Sequence, residues 1–216
     1  MKQKSILYEI IIFSLIFIFL IIPPLLTTKV SDYNLIFNWN FPWQQAGFCI
    51  FAVVLYILSR KMFEPQRKFF YPSMLCLALL IFSAIIIKLI SSKIGSQAGI
   101  PGKIYLPDTA FEGVCCFLFF VFGSVYEEMI YRFYFIDALK RLLSYTKMPD
   151  GKLMFFITEG LGLLVFAFGH LYLGILAVIN AAIAHCVLRI LYKKTGLIWN
   201  GVLIHFVYNI ISLILL

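Results

Sequence analysis

Seven stretches of this chain are apolar on every side, and each approaches the ~20 residues that a helix needs to cross about 30 Å of hydrocarbon. They run over residues 5–27, 45–60, 69–92, 110–139, 153–170, 173–192 and 197–216. With 62% hydrophobic and only 13% charged residues among 216, the chain carries more apolar surface than a soluble core of this size can bury. A transmembrane barrel would alternate apolar and polar residues, and these runs do not. The expected fold is therefore all-α, a polytopic transmembrane bundle of about seven spans. Residues 1–109 hold the first three spans, and residues 110–216 hold the polar groups considered below.

The formal charge of +8 does not argue for nucleic acid, because the basic residues lie between the apolar runs. One side of the membrane collects Lys2, Lys4, Arg60, Lys61, Lys140, Arg141, Lys193 and Lys194. The other side has Lys29, Lys93 and Lys103, with Lys88 near that end of the third span. This asymmetry predicts a cytoplasmic N-terminus and a C-terminus outside. The first run contains Glu9 and ends at Pro23-Pro24 without a small-residue cleavage site, so it is expected to be a retained span rather than a signal peptide. Trp39, Trp43 and Tyr105 in the sparse loops suit an interfacial aromatic belt, and the phenylalanine-rich stretches suit a lipid-facing surface. The five cysteines lie in apolar runs without metal-ligand spacing and are expected to be core residues.

Against this background, Glu127, Glu128 and Arg132 place three formal charges inside the fourth run. A charge in hydrocarbon costs about 2.5–3.5 kcal/mol on insertion scales, so a chain that keeps three should use them. His170 ends the fifth run, and His205 and Asn209 lie in the seventh. At 1.5 Å rise per residue, Glu127 is roughly 20 Å from Lys140-Arg141, His205 and Asn209 are roughly 16 and 22 Å beyond Lys194, and His170 is roughly 27 Å beyond Lys152. All four therefore fall in one middle-to-outer layer of the membrane. Glu128 and Arg132 are i,i+4 neighbours and can pair, whereas Glu127 is turned about 100° away and stays free for chemistry. His205 and Asn209 share a face by the same spacing. Gly169 beside His170 leaves room for a close approach.

These groups can run water attack on a peptide carbonyl. A carboxylate withdrawn from water becomes a usable general base near neutral pH, histidine can share the proton, and His and Asn donors can stabilise an oxyanion. No Ser, Cys or Thr accompanies them at an interpretable spacing; Ser124, three residues before Glu127, is read as helix packing, and a covalent nucleophile is not expected. His185 is read as structural, and Glu9, Glu112 and Glu159 as interface or packing residues.

Glu127-Glu128-x-x-x-Arg132, Phe166-x-x-x-His170 and His205-x-x-x-Asn209, with the lead-in Lys194-Thr195-Gly196-Leu197-Ile198-Trp199, resemble the CPBP family of CAAX proteases and bacteriocin-processing enzymes, also called Abi. The resemblance covers about residues 110–212 and extends to the type II CAAX prenyl endopeptidases. It implies a catalytic helical core over 110–216 and an intramembrane endopeptidase of the glutamate type. Glu127 and His170 would activate water, His205 and Asn209 would form the oxyanion hole, and Glu128 with Arg132 would support the site. It implies no cofactor, with zinc held by Glu127, His170 and His205 as the alternative. The implied partners are the lipid bilayer and a membrane-associated peptide or protein, of the CAAX type or a bacteriocin or pheromone precursor; no nucleic acid is implied. A bacterial cell membrane is the expected location. The competing reading is a non-catalytic immunity or regulatory protein that keeps the fold; a proton-relay transporter is disfavoured, since neither inverted repeats nor paired broken helices are visible.

Overall fold

The computed structural model describes residues 6–27, 37–59, 70–94, 105–146 and 148–215. Lys2, Lys4, Lys29, Arg60, Lys61 and Lys103, which carry much of the charge asymmetry, lie outside the described residues. Among the described residues there are helices and no strands. Six helices are long and apolar enough to cross a membrane: α1 (Ile6–Leu26), α3 (Tyr71–Lys93), α4 (Ala110–Tyr145), α5 (Lys152–Leu173, its last turn separate), α6 (Ile175–Thr195) and α7 (Ile198–Leu215). The remaining apolar helix, α2 (Trp43–Ser59), has 17 residues, roughly 25 Å of length, and is the shortest of the set. The bundle is the polytopic helical fold expected from the sequence.

α4 is the axis of the molecule. Its 36 residues make roughly 54 Å of helix, more than the hydrocarbon thickness, so it must tilt or project. Thr109 and Glu112 start it with a reciprocal capping box, and Glu112 also accepts from the Asp108 N–H at 2.8 Å. That accounts for Glu112 and is worth about 1 kcal/mol. Over Glu128–Phe135 the helix widens into π geometry, a form concentrated at functional sites. All eight residues of this segment are buried, and it touches α2, α5, α6 and α7. Around it, α2 packs on α4, α3 on α6 and α7, and α5 on α6.

The connections on either side of α6 are short. α5 breaks after Phe168, a 3-10 turn follows over Leu171–Leu173, and α6 starts at Ile175. Gly174 has φ 99°, a backbone region that side-chain-bearing residues avoid, and this lets α6 turn back directly. Gly196 (φ 69°) ends α6 in a left-handed cap, its N–H donating to Tyr192 O at 2.8 Å, so α7 begins two residues later.

Two expectations about aromatic residues need correction. Trp43 is 77% exposed and fits an interfacial position, but Trp39 is only 5% exposed. Its indole N–H donates to Tyr105 O, and its ring packs among Phe37, Phe119 and Phe120. Phe133, Phe135 and Phe166 are likewise buried in helix packing rather than facing lipid. Lipid-facing surface is supplied instead by residues such as Phe19, Ile50, Phe82 and Ile214.

Two further carboxylates, Glu9 and Glu159, tie helices together. Glu9 of α1 accepts from Arg141 of α4 at 3.1 Å. Glu159 of α5 receives Arg189 of α6 in a two-point bond, 2.9 Å at each contact, and Lys193 at 3.2 Å. The third arm of Arg189 donates to Arg132 O at 2.6 Å, tying α6 to the π segment.

Candidate functional site

The polar groups of α4 are held by an ion pair with no solvent around it. Glu128 Oε1 is 2.8 Å from Arg132 Nη1, and both side chains are 0% exposed. The guanidinium lies 4.1 Å from the centre of the Phe166 ring, a cation–π contact that covers its remaining face. Phe166 does more than fill space. Its carbonyl accepts from His170 Nδ1 at 2.9 Å, and its ring contacts those of Tyr131, His170 and His185. Because a carbonyl only accepts, His170 Nδ1 carries the hydrogen and Nε2 of the neutral ring keeps its lone pair.

His205 bridges α7 to α4. Its Nδ1 donates to Glu128 Oε1 at 2.8 Å, and its Nε2 is 3.7 Å from Glu127 Oε2. The second distance exceeds a hydrogen bond. Glu127 Oε2 is buried and has no hydrogen-bond partner among the described residues. The spacing argument gave Glu128 one partner, Arg132; the structure adds His205, a contact between helices that spacing within α4 could not reveal.

His170, His205 and Asn209 line one cavity of about 330 Å³. Glu127 is not among its lining residues and meets the site through His205. The walls are largely apolar, from Leu173, Leu176, Ala177 and Ala181, with Asn180, Tyr208 and Lys88 as further polar members. Asn180 and Tyr208 were missed by sequence reasoning, since neither belongs to an i,i+4 motif with a charged group. His185 is buried against Phe166, neither ring nitrogen has a hydrogen-bond partner among the described residues, and it does not line the cavity.

Gly201 is a second feature that the sequence did not flag. A Cβ there would stand 2.7 Å from Glu128 Oε2 and 3.3 Å from its Cδ. The carboxylate cannot swing aside without leaving Arg132 or His205. Gly201→Ala is therefore expected to lower cleavage at least tenfold and to destabilise the protein by about 1–3 kcal/mol through overpacking. A cleavage assay beside a thermal melt checks this; wild-type values in both would contradict it. At Gly169, by contrast, an added Cβ would meet Val165 O and Phe166 O at 3.3 Å, and the nearest atom of another helix, Pro24 Cβ, would be at an ordinary 3.8 Å.

Residues 110–211 match the family described as type II CAAX prenyl endopeptidase Rce1-like. The α4–α7 core is similar to this family over that segment. The match begins at the first residue of α4, ends within α7 and leaves α1 to α3 outside, so the Rce1-like segment contains every candidate site residue. The likeness is to a family of prenyl endopeptidases. No curated protein and no solved structure matches the chain.

The zinc alternative does not fit this Rce1-like core as it stands. Among the described residues, no three His, Cys, Asp or Glu side chains come together in a group that could hold a metal ion.

Proposed function

We propose that the protein is an intramembrane endopeptidase in which Glu127 and His170 activate water and His205 with Asn209 stabilises the oxyanion. The observation that carries this reading is the position of His205 of α7 against both glutamates of α4. Its ring is fixed on α4 through Glu128 and lies 3.7 Å from the unpartnered Glu127 oxygen, while sharing a cavity with His170 and Asn209.

In the proposed cycle, Glu127 takes a proton from water, and the hydroxide oxygen bonds to the scissile carbonyl carbon. His170 Nε2, with its free lone pair, shares that proton. The carbonyl oxygen becomes an oxyanion, which accepts from the Asn209 amide and from His205. His205 donates to Glu128 through Nδ1, so it can donate to the oxyanion through Nε2 only as a cation, and the Glu127 and Glu128 carboxylates flank it on those two sides. Collapse breaks the C–N bond, and the stored proton goes to the leaving amine. The products are a carboxylate and an amine.

The substrate is proposed to be a membrane-associated peptide or protein that reaches the cavity from the bilayer. A CAAX-type C-terminus is the class named by the family, and a bacteriocin or pheromone precursor is the alternative in a bacterial membrane. His205→Ala and Asn209→Ala test the proposed roles. Each is expected to lower kcat roughly 10²–10³-fold with little change in KM, because the contacts strengthen only as charge develops on the oxygen. Loss expressed wholly in KM would instead make them substrate-binding groups.

A further inference from the structure

The cavity wall carries one polar pair that the proposed cycle does not use. Asn180 of α6 and Tyr208 of α7 both line it, and the Tyr208 hydroxyl donates to Asn180 Oδ1 at 2.8 Å. That is the single hydrogen bond the Asn180 side chain makes among the described residues. With its oxygen held, the amide has two N–H groups left to give. Tyr208 is buried, one residue before Asn209 and three after His205, so the bond sets Asn180 beside the turn that bears the proposed oxyanion donors.

A peptide entering this cavity leaves water behind. Each backbone carbonyl it brings must find a donor or cost several kcal/mol. Lys88, Ser91, Ser92 and Ser212 are further polar side chains of the wall, of which Lys88 and Ser92 already donate to Leu215 O and Leu89 O; Phe166, Leu173, Leu176, Ala177, Ala181 and Ala184 offer no side-chain donor. Asn180 does. We propose that Asn180 is a substrate-binding residue whose amide donates to a backbone carbonyl of the bound peptide next to the scissile bond, and that Tyr208 is the positioning residue that fixes the orientation of that amide. This rests on the peptidase reading of the same cavity. The contact exists before and during reaction, so it stabilises both states equally and acts on KM rather than kcat.

A membrane-anchored prenylated CAAX peptide serves as the probe, since the matched family is described by that substrate class. Its cleavage in proteoliposomes is measured for wild type, Asn180→Ala, Asn180→Asp and Tyr208→Phe. Its binding is measured separately on Glu127→Gln with and without Asn180→Ala. Asn180→Ala is expected to raise KM roughly five- to tenfold, the worth of one hydrogen bond, with kcat within about twofold of wild type. Asn180→Asp keeps the acceptor for Tyr208 but has no donor, and should raise KM at least as much. Tyr208→Phe should raise it less and add nothing on top of Asn180→Ala. Binding to Glu127→Gln should weaken by the same factor. An unchanged KM in Asn180→Asp, or a fall in kcat at constant KM, overturns the proposal. A wild-type protein that binds the peptide in an Asn180-dependent way without cutting it supports the Asn180 contact and removes the peptidase reading. A peptide that is neither bound nor cut removes both.

Discussion

Glu127→Gln abolishes cleavage, by at least about two orders of magnitude, and leaves the protein inserted and abundant. The size follows from the usual contribution of a positioned general base, about 10²- to 10⁴-fold. The second half follows from the surroundings of the side chain. Glu127 Oε2 has no hydrogen-bond partner among the described residues, and His205 Nε2 is 3.7 Å away. Glutamine has the same volume and breaks no direct hydrogen bond of that oxygen, but its amide cannot take up a proton from water. Cleavage and thermal stability measured on one preparation separate the two effects. Activity retained at normal abundance would leave the non-catalytic membrane protein as the better account.

Glu128→Gln has the opposite signature. One carboxylate oxygen of Glu128 forms an ion pair with Arg132 Nη1 at 2.8 Å and accepts from His205 Nδ1 at 2.8 Å, and the Glu128 and Arg132 side chains have no exposure. Removing its charge strands the Arg132 guanidinium, and breaking a buried pair on one side costs about 3–5 kcal/mol. For a chain of this length that corresponds to a fall in Tm on the order of 10 °C. His205 also loses the acceptor that orients its ring, so cleavage falls as well. The expected result is lower abundance, a lower Tm and lower activity together, where Glu127→Gln loses activity alone. A stable but inactive Glu128→Gln would show that its role is not to hold Arg132.

The two neighbouring glutamates show how much the sequence could reveal. Their different pairing was legible because i,i+4 spacing within one helix joins Glu128 to Arg132 and leaves Glu127 over. The long apolar runs marked each helix for an equally simple reason, the thickness of hydrocarbon. The matched segment, residues 110–211, coincides closely with the span of motifs read from the residues. Rotation of one helix against another was not legible, because runs that are apolar all round give no sign of which face turns inward. The Glu128–His205 bond, the clearance at Gly201 and the Tyr208–Asn180 pair all depend on that rotation. Trp39 misled for a related reason: its place between two runs suggested an interface, whereas the chain turns it into a cluster with Phe119 and Phe120. The π segment was hidden too, since widening of a helix over Glu128–Phe135 leaves no mark on hydropathy.

The central claim is that Glu127, at the meeting point with His205, drives peptide-bond hydrolysis inside the membrane. The most direct measurement is cleavage of a prenylated CAAX peptide by purified protein in proteoliposomes, verified to contain no bound metal and held in chelator, with wild type and Glu127→Gln side by side. The account predicts cleavage by the wild type under these conditions and none by Glu127→Gln. Cleavage that appears only when zinc is restored, or that persists in Glu127→Gln, would contradict it.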